Sequence, residues 1–124
     1  MTAKPSGGSV FLVEDEPMIR MMVADMLEEL GYRVVAEAGS IAQATELAQT
    51  AEFDIAILDV NVSGKMISPV AELIEARNRP FIFATGYGSS GLPEQYRDRP
   101  ALQKPFQIET LARTIDAVLK KKPV

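Results

Sequence analysis

At four points along the 124-residue chain, a charged or hydroxylated side chain directly follows a short, mostly apolar run. The acidic pair Glu14-Asp15 follows the first run, Asp59 and Thr85 follow two later ones, and Lys104 follows the last. Carboxylates held close together repel, and a hard divalent cation such as Mg²⁺ or Mn²⁺ relieves that repulsion. Thr85 can donate a hydrogen bond to a phosphate oxygen, and Lys104 can supply a second positive charge. Asp59 is then a cation ligand or a nucleophile that forms an aspartyl phosphate.

The composition excludes several other chemistries. The sequence has no cysteine and no histidine, which removes disulfides, thiolate metal sites and the commonest general base. A metal site must therefore use oxygen ligands, which favours magnesium, manganese or calcium. The net charge of −4 offers no general attraction to nucleic acid. No apolar run approaches the roughly 18 residues of a membrane span. We expect a cytoplasmic protein that binds neither nucleic acid nor membrane.

Apolar runs alternate with helical patterns along the chain. After four of the five predicted strands, apolar residues recur at the spacing of a helix. After the fourth strand the chain has only a weakly patterned segment, 93–98. Three strands are continuous apolar runs, as in a parallel sheet that is buried on both faces. The alternation predicts an α/β protein, a doubly wound (βα)5 fold with a parallel five-stranded sheet and about five helices. The predicted strands are 10–13, 33–38, 55–58, 81–84 and 101–103.

Doubly wound sheets bind ligands at the carboxyl ends of their strands. This rule brings the five side chains of the opening paragraph to one edge of the sheet, and we call them the rim residues. Asp54 precedes the strand that Asp59 ends, so it is predicted to lie at the opposite edge and to be structural. The rim residues also have plainer interpretations, since Glu14 or Asp15 could cap the helix that begins at Pro17.

In their order and spacing, the rim residues resemble the receiver domain of two-component response regulators. The resemblance implies a receiver domain at 9–121 with strand order 2-1-3-4-5, between a disordered tail at 1–8 and a tail at 122–124. It implies a phosphorylated signalling switch rather than an enzyme, one that catalyses its own phosphorylation and slow dephosphorylation. The donor would be a sensor histidine kinase or a phosphotransfer protein. With no output domain expected, the output is contact with a downstream protein or a phosphate sink.

The resemblance also assigns roles to individual residues. It makes Asp59 the phosphoacceptor. It gives magnesium to Asp59 and Asp15, with Glu14 beside them and the backbone carbonyl of Asn61 as a further ligand. Thr85 would contact the phosphoryl group.

Lys104 would pair with that group, and the peptide between Lys104 and Pro105 is cis in this family. The string PFIFATGYG at 80–88 resembles the FAT GUY subset of stand-alone receivers, which are associated with HWE-class histidine kinases. The resemblance therefore implies an HWE-class partner.

Two positions depart from the usual receiver pattern. Ala101 stands where receivers carry an aromatic switch residue, so we expect the switch in the loop 86–91, with Gly86, Tyr87 and Gly88. Ser63 stands where receivers commonly have proline, which leaves the shape of the loop after the acceptor open.

Three other functions fit parts of the pattern. A pseudo-receiver would have the same fold and never take up phosphate, against which the complete set of rim residues argues. A haloacid-dehalogenase-type phosphatase needs a D-x-D motif after the first strand, where this chain has EDEP. A flavodoxin-like cofactor protein needs a glycine- and hydroxyl-rich loop there.

Overall fold

The computed structural model describes residues 8–86 and 91–120. The predicted tails therefore lie outside the described residues, except for Gly8. Strands and α-helices alternate through the described part of the chain, and a short 3-10 turn covers Glu94–Tyr96. The elements in chain order are β1 (Ser9–Val13), α1 (Pro17–Glu29), β2 (Arg33–Ala38), α2 (Ile41–Thr50), β3 (Ile55–Asp59), β4 (Asn61–Val62), β5 (Lys65–Met66), α3 (Ser68–Ala76), β6 (Phe81–Thr85), β7 (Ala101–Gln103) and α4 (Ile108–Lys120).

Five of these strands form one parallel sheet in the order β2-β1-β3-β6-β7. Counted along the sheet-forming strands alone, this is the predicted order 2-1-3-4-5, so the predicted fold class is confirmed. The predicted strand bounds agree with the observed ones to within one residue. The remaining strands, β4 and β5, form a small antiparallel hairpin that was not predicted.

Both faces of the sheet are buried, which explains the continuous apolar runs. In β1, Phe11 and Val13 point into a core with the inner faces of α2 and α3. Val10 and Leu12 alternate with them and join a second core with residues of α1 and α4. Helices therefore cover the sheet on both sides, as in other doubly wound folds.

Local signals set the ends of the first two helices. Pro17 occupies the first turn of α1, and Gly31, at φ 96°, ends it. There the N–H of Gly31 donates to the Glu28 carbonyl and that of Tyr32 to the Leu27 carbonyl, the paired bonds of a Schellman motif. Ser40 caps α2 by accepting the backbone N–H of Gln43.

The prediction of about five helices is wrong by one over the described residues, which hold four α-helices. Between β6 and β7 the described residues contain no α-helix, and a 3-10 turn begins after Pro93. Tyr96 there is buried against Phe81 and Phe83, with ring centroids 5.8 and 5.4 Å away. A single aromatic anchor thus covers the sheet at the segment whose sequence is only weakly patterned. No helix in 8–86 or 91–120 is both long and apolar enough to cross a membrane.

Candidate functional site

The carboxyl ends of β1, β3, β6 and β7 meet at one edge of the sheet, and the rim residues line an open cleft of about 510 Å³ there. Backbone hydrogen bonds hold the strand ends in register. The Val60 N–H donates to the Ala84 carbonyl at 3.1 Å, and the Lys104 N–H donates to the Thr85 carbonyl at 2.8 Å. The structure thus brings together all five side chains that the strand-end rule selected.

Three carboxylates form the centre of the cleft. Glu14, Asp15 and Asp59 each offer an oxygen, and these oxygens lie within 4.8 Å of one another. Glu14 is 4% exposed and Asp59 is 6% exposed, so little water screens their charges. Lys104 bridges the two buried carboxylates, with Nζ 3.0 Å from Glu14 Oε1 and 3.2 Å from Asp59 Oδ1. One ammonium therefore faces three carboxylates, and the cluster has an excess of negative charge.

The pKa values of Asp59 and Lys104 record this crowding. Burial, followed by the negative charge of Glu14, raises the pKa of Asp59 to about 6, although Lys104 acts in the opposite direction. Burial acts to lower the pKa of Lys104, but its hydrogen bond to Glu14 and the charge of Asp59 outweigh that effect and raise it. Lys104 therefore stays positively charged, whereas burial and the nearby carboxylates disfavour the ionised form of Asp59.

Asp15 lies at the half-buried entrance of the cluster. Its Oδ2 accepts the backbone N–H of Ser63 at 2.8 Å. Burial acts to raise the pKa of Asp15, but the hydrogen bonds it accepts, that from Ser63 foremost, outweigh burial and lower it. Asp15 is therefore a carboxylate over the whole neutral range. An all-oxygen donor set with surplus negative charge fits Mg²⁺ or Mn²⁺.

Neither Glu14 nor Asp15 caps α1 in the way that the plainer interpretation required. The N-cap residue is Glu16, and it makes no side-chain capping bond. Instead Glu14 Oε2 accepts the Glu16 N–H at 3.1 Å, while its other oxygen faces Lys104.

Arg20 binds the backbone of the acidic segment at Glu14, a contact that was not predicted from the sequence. Its Nη1 donates to the backbone carbonyl of Glu14 at 2.7 Å, and its Nε lies 3.3 Å from Glu37 Oε1. Gly39 leaves room for this guanidinium, because a Cβ at that position would lie 2.7 Å from Arg20 Nη1. The available signals were a lone arginine on a mostly apolar helix and a glycine directly after a strand.

Thr85 and Gly86 form the side of the cleft at the end of β6. Thr85 is 3% exposed, and its backbone carbonyl accepts the N–H of Lys104. Gly86 lines the cleft, with nothing within 4 Å of where a Cβ would stand. Tyr87 and Gly88, the other loop residues predicted to carry the switch, lie outside the described residues.

Asn61 and Ala101 have environments that bear on their predicted roles. Asn61 lines the cleft, and its side-chain Oδ1 accepts the Gly64 N–H at 2.9 Å. Its backbone carbonyl as a magnesium ligand stays a prediction. Ala101 is half-buried in β7 opposite Phe83. With alanine at this point, the edge strand presents no aromatic ring to the cleft.

Asp54 lies at the opposite edge of the sheet. Its Oδ2 accepts the backbone N–H of Ser9 at 2.9 Å and lies 3.3 Å from the Ser9 hydroxyl. It therefore ties the starts of β1 and β3 together. The peptide between Lys104 and Pro105 is cis.

Comparisons with known proteins agree with this architecture. The profile of the response regulator receiver domain family matches residues 10–116. The transcriptional regulatory protein PdtaR of Mycobacterium tuberculosis is 36% identical over 116 residues, which are 90% of this chain and 57% of PdtaR. The chain thus spans little more than half the length of this curated relative.

Solved structures of one protein, SdrG, are also similar. The solution structure of SdrG from Sphingomonas melonis Fr1 has a TM-score of 0.82 at 40% identity and covers 94% of this chain and 99% of SdrG. The BeF3-activated conformation of SdrG, from Pseudomonas melonis Fr1, has a TM-score of 0.77 at 43% identity, over 90% of this chain and 95% of that one.

Proposed function

The chain belongs to the family of response regulator receiver domains, and from that premise we propose that Asp59 accepts a phosphoryl group from a phosphohistidine. The proposal includes Mg²⁺ or Mn²⁺ bound beside Asp59 during the transfer. One observation carries it: the buried Asp59 carboxylate lies 3.2 Å from an ammonium and within 4.8 Å of two further carboxylates, at the open edge of the sheet.

The position of Asp59 supports a role as nucleophile. The phosphoryl donor must be approached by an ionised oxygen, and above pH 6 the Asp59 carboxylate is mostly ionised even without a cation. An oxygen of Asp59 forms the bond to phosphorus while the P–N bond of the phosphohistidine breaks. The imidazole leaves with the electron pair of that bond and takes up a proton from solvent.

The neighbouring side chains stabilise the charge that accumulates on the phosphoryl oxygens. Phosphoryl transfer is mostly a matter of positioning and charge neutralisation, so no histidine is needed on this chain. Lys104 already lies 3.2 Å from the acceptor carboxylate and can pair with a phosphoryl oxygen. Thr85, at the end of the neighbouring strand, can donate a hydrogen bond from its hydroxyl to a second phosphoryl oxygen. Asp15, Asp59 and the backbone carbonyl of Asn61 would hold the cation, which when bound neutralises carboxylate and phosphoryl charge.

The proposed partner is a sensor histidine kinase of the HWE class or a phosphotransfer protein. The string at 80–88, which resembles the FAT GUY subset, supports the HWE class. The proposed output is contact with a downstream protein or use of the domain as a phosphate sink. The phosphoryl group carries about −1.5 to −2 of charge. It replaces the single charge of the Asp59 carboxylate, so phosphorylation makes an edge that is already negative more negative.

Phosphorylation in vitro tests this proposal directly. The purified protein is incubated with Mg²⁺ and acetyl phosphate, and in parallel with phosphorylated kinases of the HWE class and of other classes, and intact mass is recorded. We expect a gain of one phosphoryl group that EDTA abolishes, and faster transfer from HWE-class kinases than from the others.

Asp59 ends β3 and Asp54 directly precedes this strand, which gives a matched pair of variants. Asp59→Asn removes the acceptor, and Asp54→Asn changes the aspartate just before β3, outside the cleft. We expect the first to lose labelling completely and the second to retain it. Labelling of Asp59→Asn would overturn the assignment of the acceptor. A wild-type protein that stays unmodified with every donor would instead make the chain a pseudo-receiver.

A further inference from the structure

The loop after Asp59 folds into a hairpin that reaches back to the first strand. Strands β4 and β5 pair Val62 with Lys65, which leaves Ser63 and Gly64 as a two-residue turn. Both turn residues have positive φ, 52° and 83°, the backbone of a type I′ turn. Two contacts hold the turn in place: the Val62 side chain is fully buried, and the Gly64 N–H donates to Asn61 Oδ1.

The base of the hairpin is equally well fixed. The Ile67 N–H donates to the Val60 carbonyl at 2.9 Å, and both side chains are buried in the core beneath α2 and α3. The hairpin is therefore a short, supported projection over the cleft rather than an isolated pair of strands. Its direction is determined by the core and by the turn.

The tip of this projection holds one carboxylate of the acidic cluster. Ser63 donates its N–H to Asp15 Oδ2 at 2.8 Å, across 48 residues of sequence. Such a bond to a charged acceptor is among the stronger hydrogen bonds in proteins. It restricts rotation of the Asp15 carboxylate and keeps it beside the carboxylates of Glu14 and Asp59.

We propose that the Ser63 N–H is a positioning group that orients Asp15 toward the bound divalent cation and so sets the affinity for that cation. The inference rests on the proposed function, because it needs a cation at this cluster. The serine side chain is exposed and is not required. In this chain the bond to Asp15 uses a backbone N–H at a position with φ of +52°, and proline can supply neither the N–H nor that φ.

Three variants separate the N–H from the rest of the turn. Ser63→Gly keeps the N–H and tolerates positive φ. Ser63→Pro removes the N–H. Gly64→Ala strains the same turn at φ 83°, where a Cβ has free space, and leaves the Ser63 N–H in place. The Kd for Mg²⁺ is measured by following backbone amide shifts in an NMR titration of each variant.

Loss of a hydrogen bond to a metal ligand typically lowers metal affinity by about 10- to 100-fold. We expect Ser63→Pro to raise the Kd for Mg²⁺ by about 10-fold or more, and the glycine and Gly64→Ala variants to stay within about threefold of wild type. On an Asp15→Ala background, Ser63→Pro should change the Kd by less than about twofold. In phosphorylation assays, Ser63→Pro should need more Mg²⁺ and reach a similar rate at saturation.

A second measurement does not depend on the folding of the proline variant. Hydrogen exchange of the Ser63 amide should be slow in the wild-type protein and fast in Asp15→Ala. Equal exchange in the two proteins, an unchanged Mg²⁺ affinity in Ser63→Pro, or an equally weakened Ser63→Gly would each overturn the inference and leave the role of Asp59 intact. A wild-type protein that binds no Mg²⁺ overturns the inference together with the cation part of the proposed function.

Discussion

The substitution Asp59→Asn is expected to stabilise the metal-free protein at neutral pH. The Asp59 pKa is raised from 3.8 to about 6, mainly by burial and then by Glu14. The folded state therefore binds more protons than the unfolded state between about pH 4 and 6, and stability falls as pH rises through that window. Raising the Asp59 pKa from 3.8 to about 6 corresponds to about 3 kcal/mol. This value is an upper bound on how much the ionised Asp59 carboxylate destabilises the folded state.

Asparagine keeps the shape of the side chain and removes its charge, so this penalty disappears in the variant. Lys104 loses one of its two partners and keeps Glu14 at 3.0 Å, which offsets part of the gain. We expect a net stabilisation of about 1 to 2 kcal/mol at pH 7.5 in EDTA, or roughly 4 to 8 °C in Tm for a domain of this size. At pH 4, where the wild-type carboxyl is protonated, the difference should vanish.

Thermal unfolding followed by circular dichroism at pH 4, 6 and 7.5 measures the effect. Asp54→Asn is the matched control, because Asp54 lies at the other edge of the sheet and its side chain accepts hydrogen bonds from Ser9. It should not stabilise the protein at any of these pH values. The reasoning is refuted if Asp59→Asn is no more stable than wild type at pH 7.5 in EDTA, or if its advantage is the same at pH 4. Adding Mg²⁺ should stabilise wild type more than the variant.

Three further outcomes follow from the same geometry. Lys104→Met leaves the buried carboxylates of Glu14 and Asp59 without their cation and should lower the free energy of unfolding in urea by about 2 kcal/mol at pH 7.5. The loss should be smaller at pH 5, where the Asp59 carboxyl is largely protonated. Arg99→Ala should cost about 1 kcal/mol, because the guanidinium lies 4.8 Å from the Phe81 ring centroid and pairs with a glutamate of α3, and Arg99→Lys should recover less than half of that in the same assay. Gly39→Ala should cost about 1 kcal/mol by displacing the Arg20 guanidinium, and a double-mutant cycle should show almost no further cost in an Arg20→Met background.

Much of the fold could be predicted because the strands carry their own signal. A strand that is buried on both faces must be apolar at every position, as in the run at 55–58, so it is visible without knowledge of its neighbours. The strand order and the edge that holds the cleft then follow from general rules for doubly wound sheets. The rim residues were predictable for the same reason, since each lies at or just after the carboxyl end of a strand.

The features that escaped prediction depend on contacts between distant residues. Strands β4 and β5 have two residues each, too few for a periodic pattern, and only the Ser63-Gly64 pair signalled a turn. The bond from Ser63 to Asp15 and that from Arg20 to the Glu14 carbonyl join separate elements, and no local pattern encodes them. Within 91–100 the structure has no α-helix, and the contact of Tyr96 with the rings of β6 likewise joins separate elements.

The loop between β6 and β7 begins and ends at fixed points, which limits how a change at Asp59 can spread. At one end, the Thr85 carbonyl accepts the Lys104 N–H, so the start of the loop is tied to the residue that pairs with the Asp59 carboxylate. At the other end, Tyr96 is buried between rings of β6. With alanine at 101, no aromatic ring on β7 can report the state of the cleft. A new charge at Asp59 must then act on the main chain between these two anchors, which is why we expect the switch in the segment that starts at Gly86.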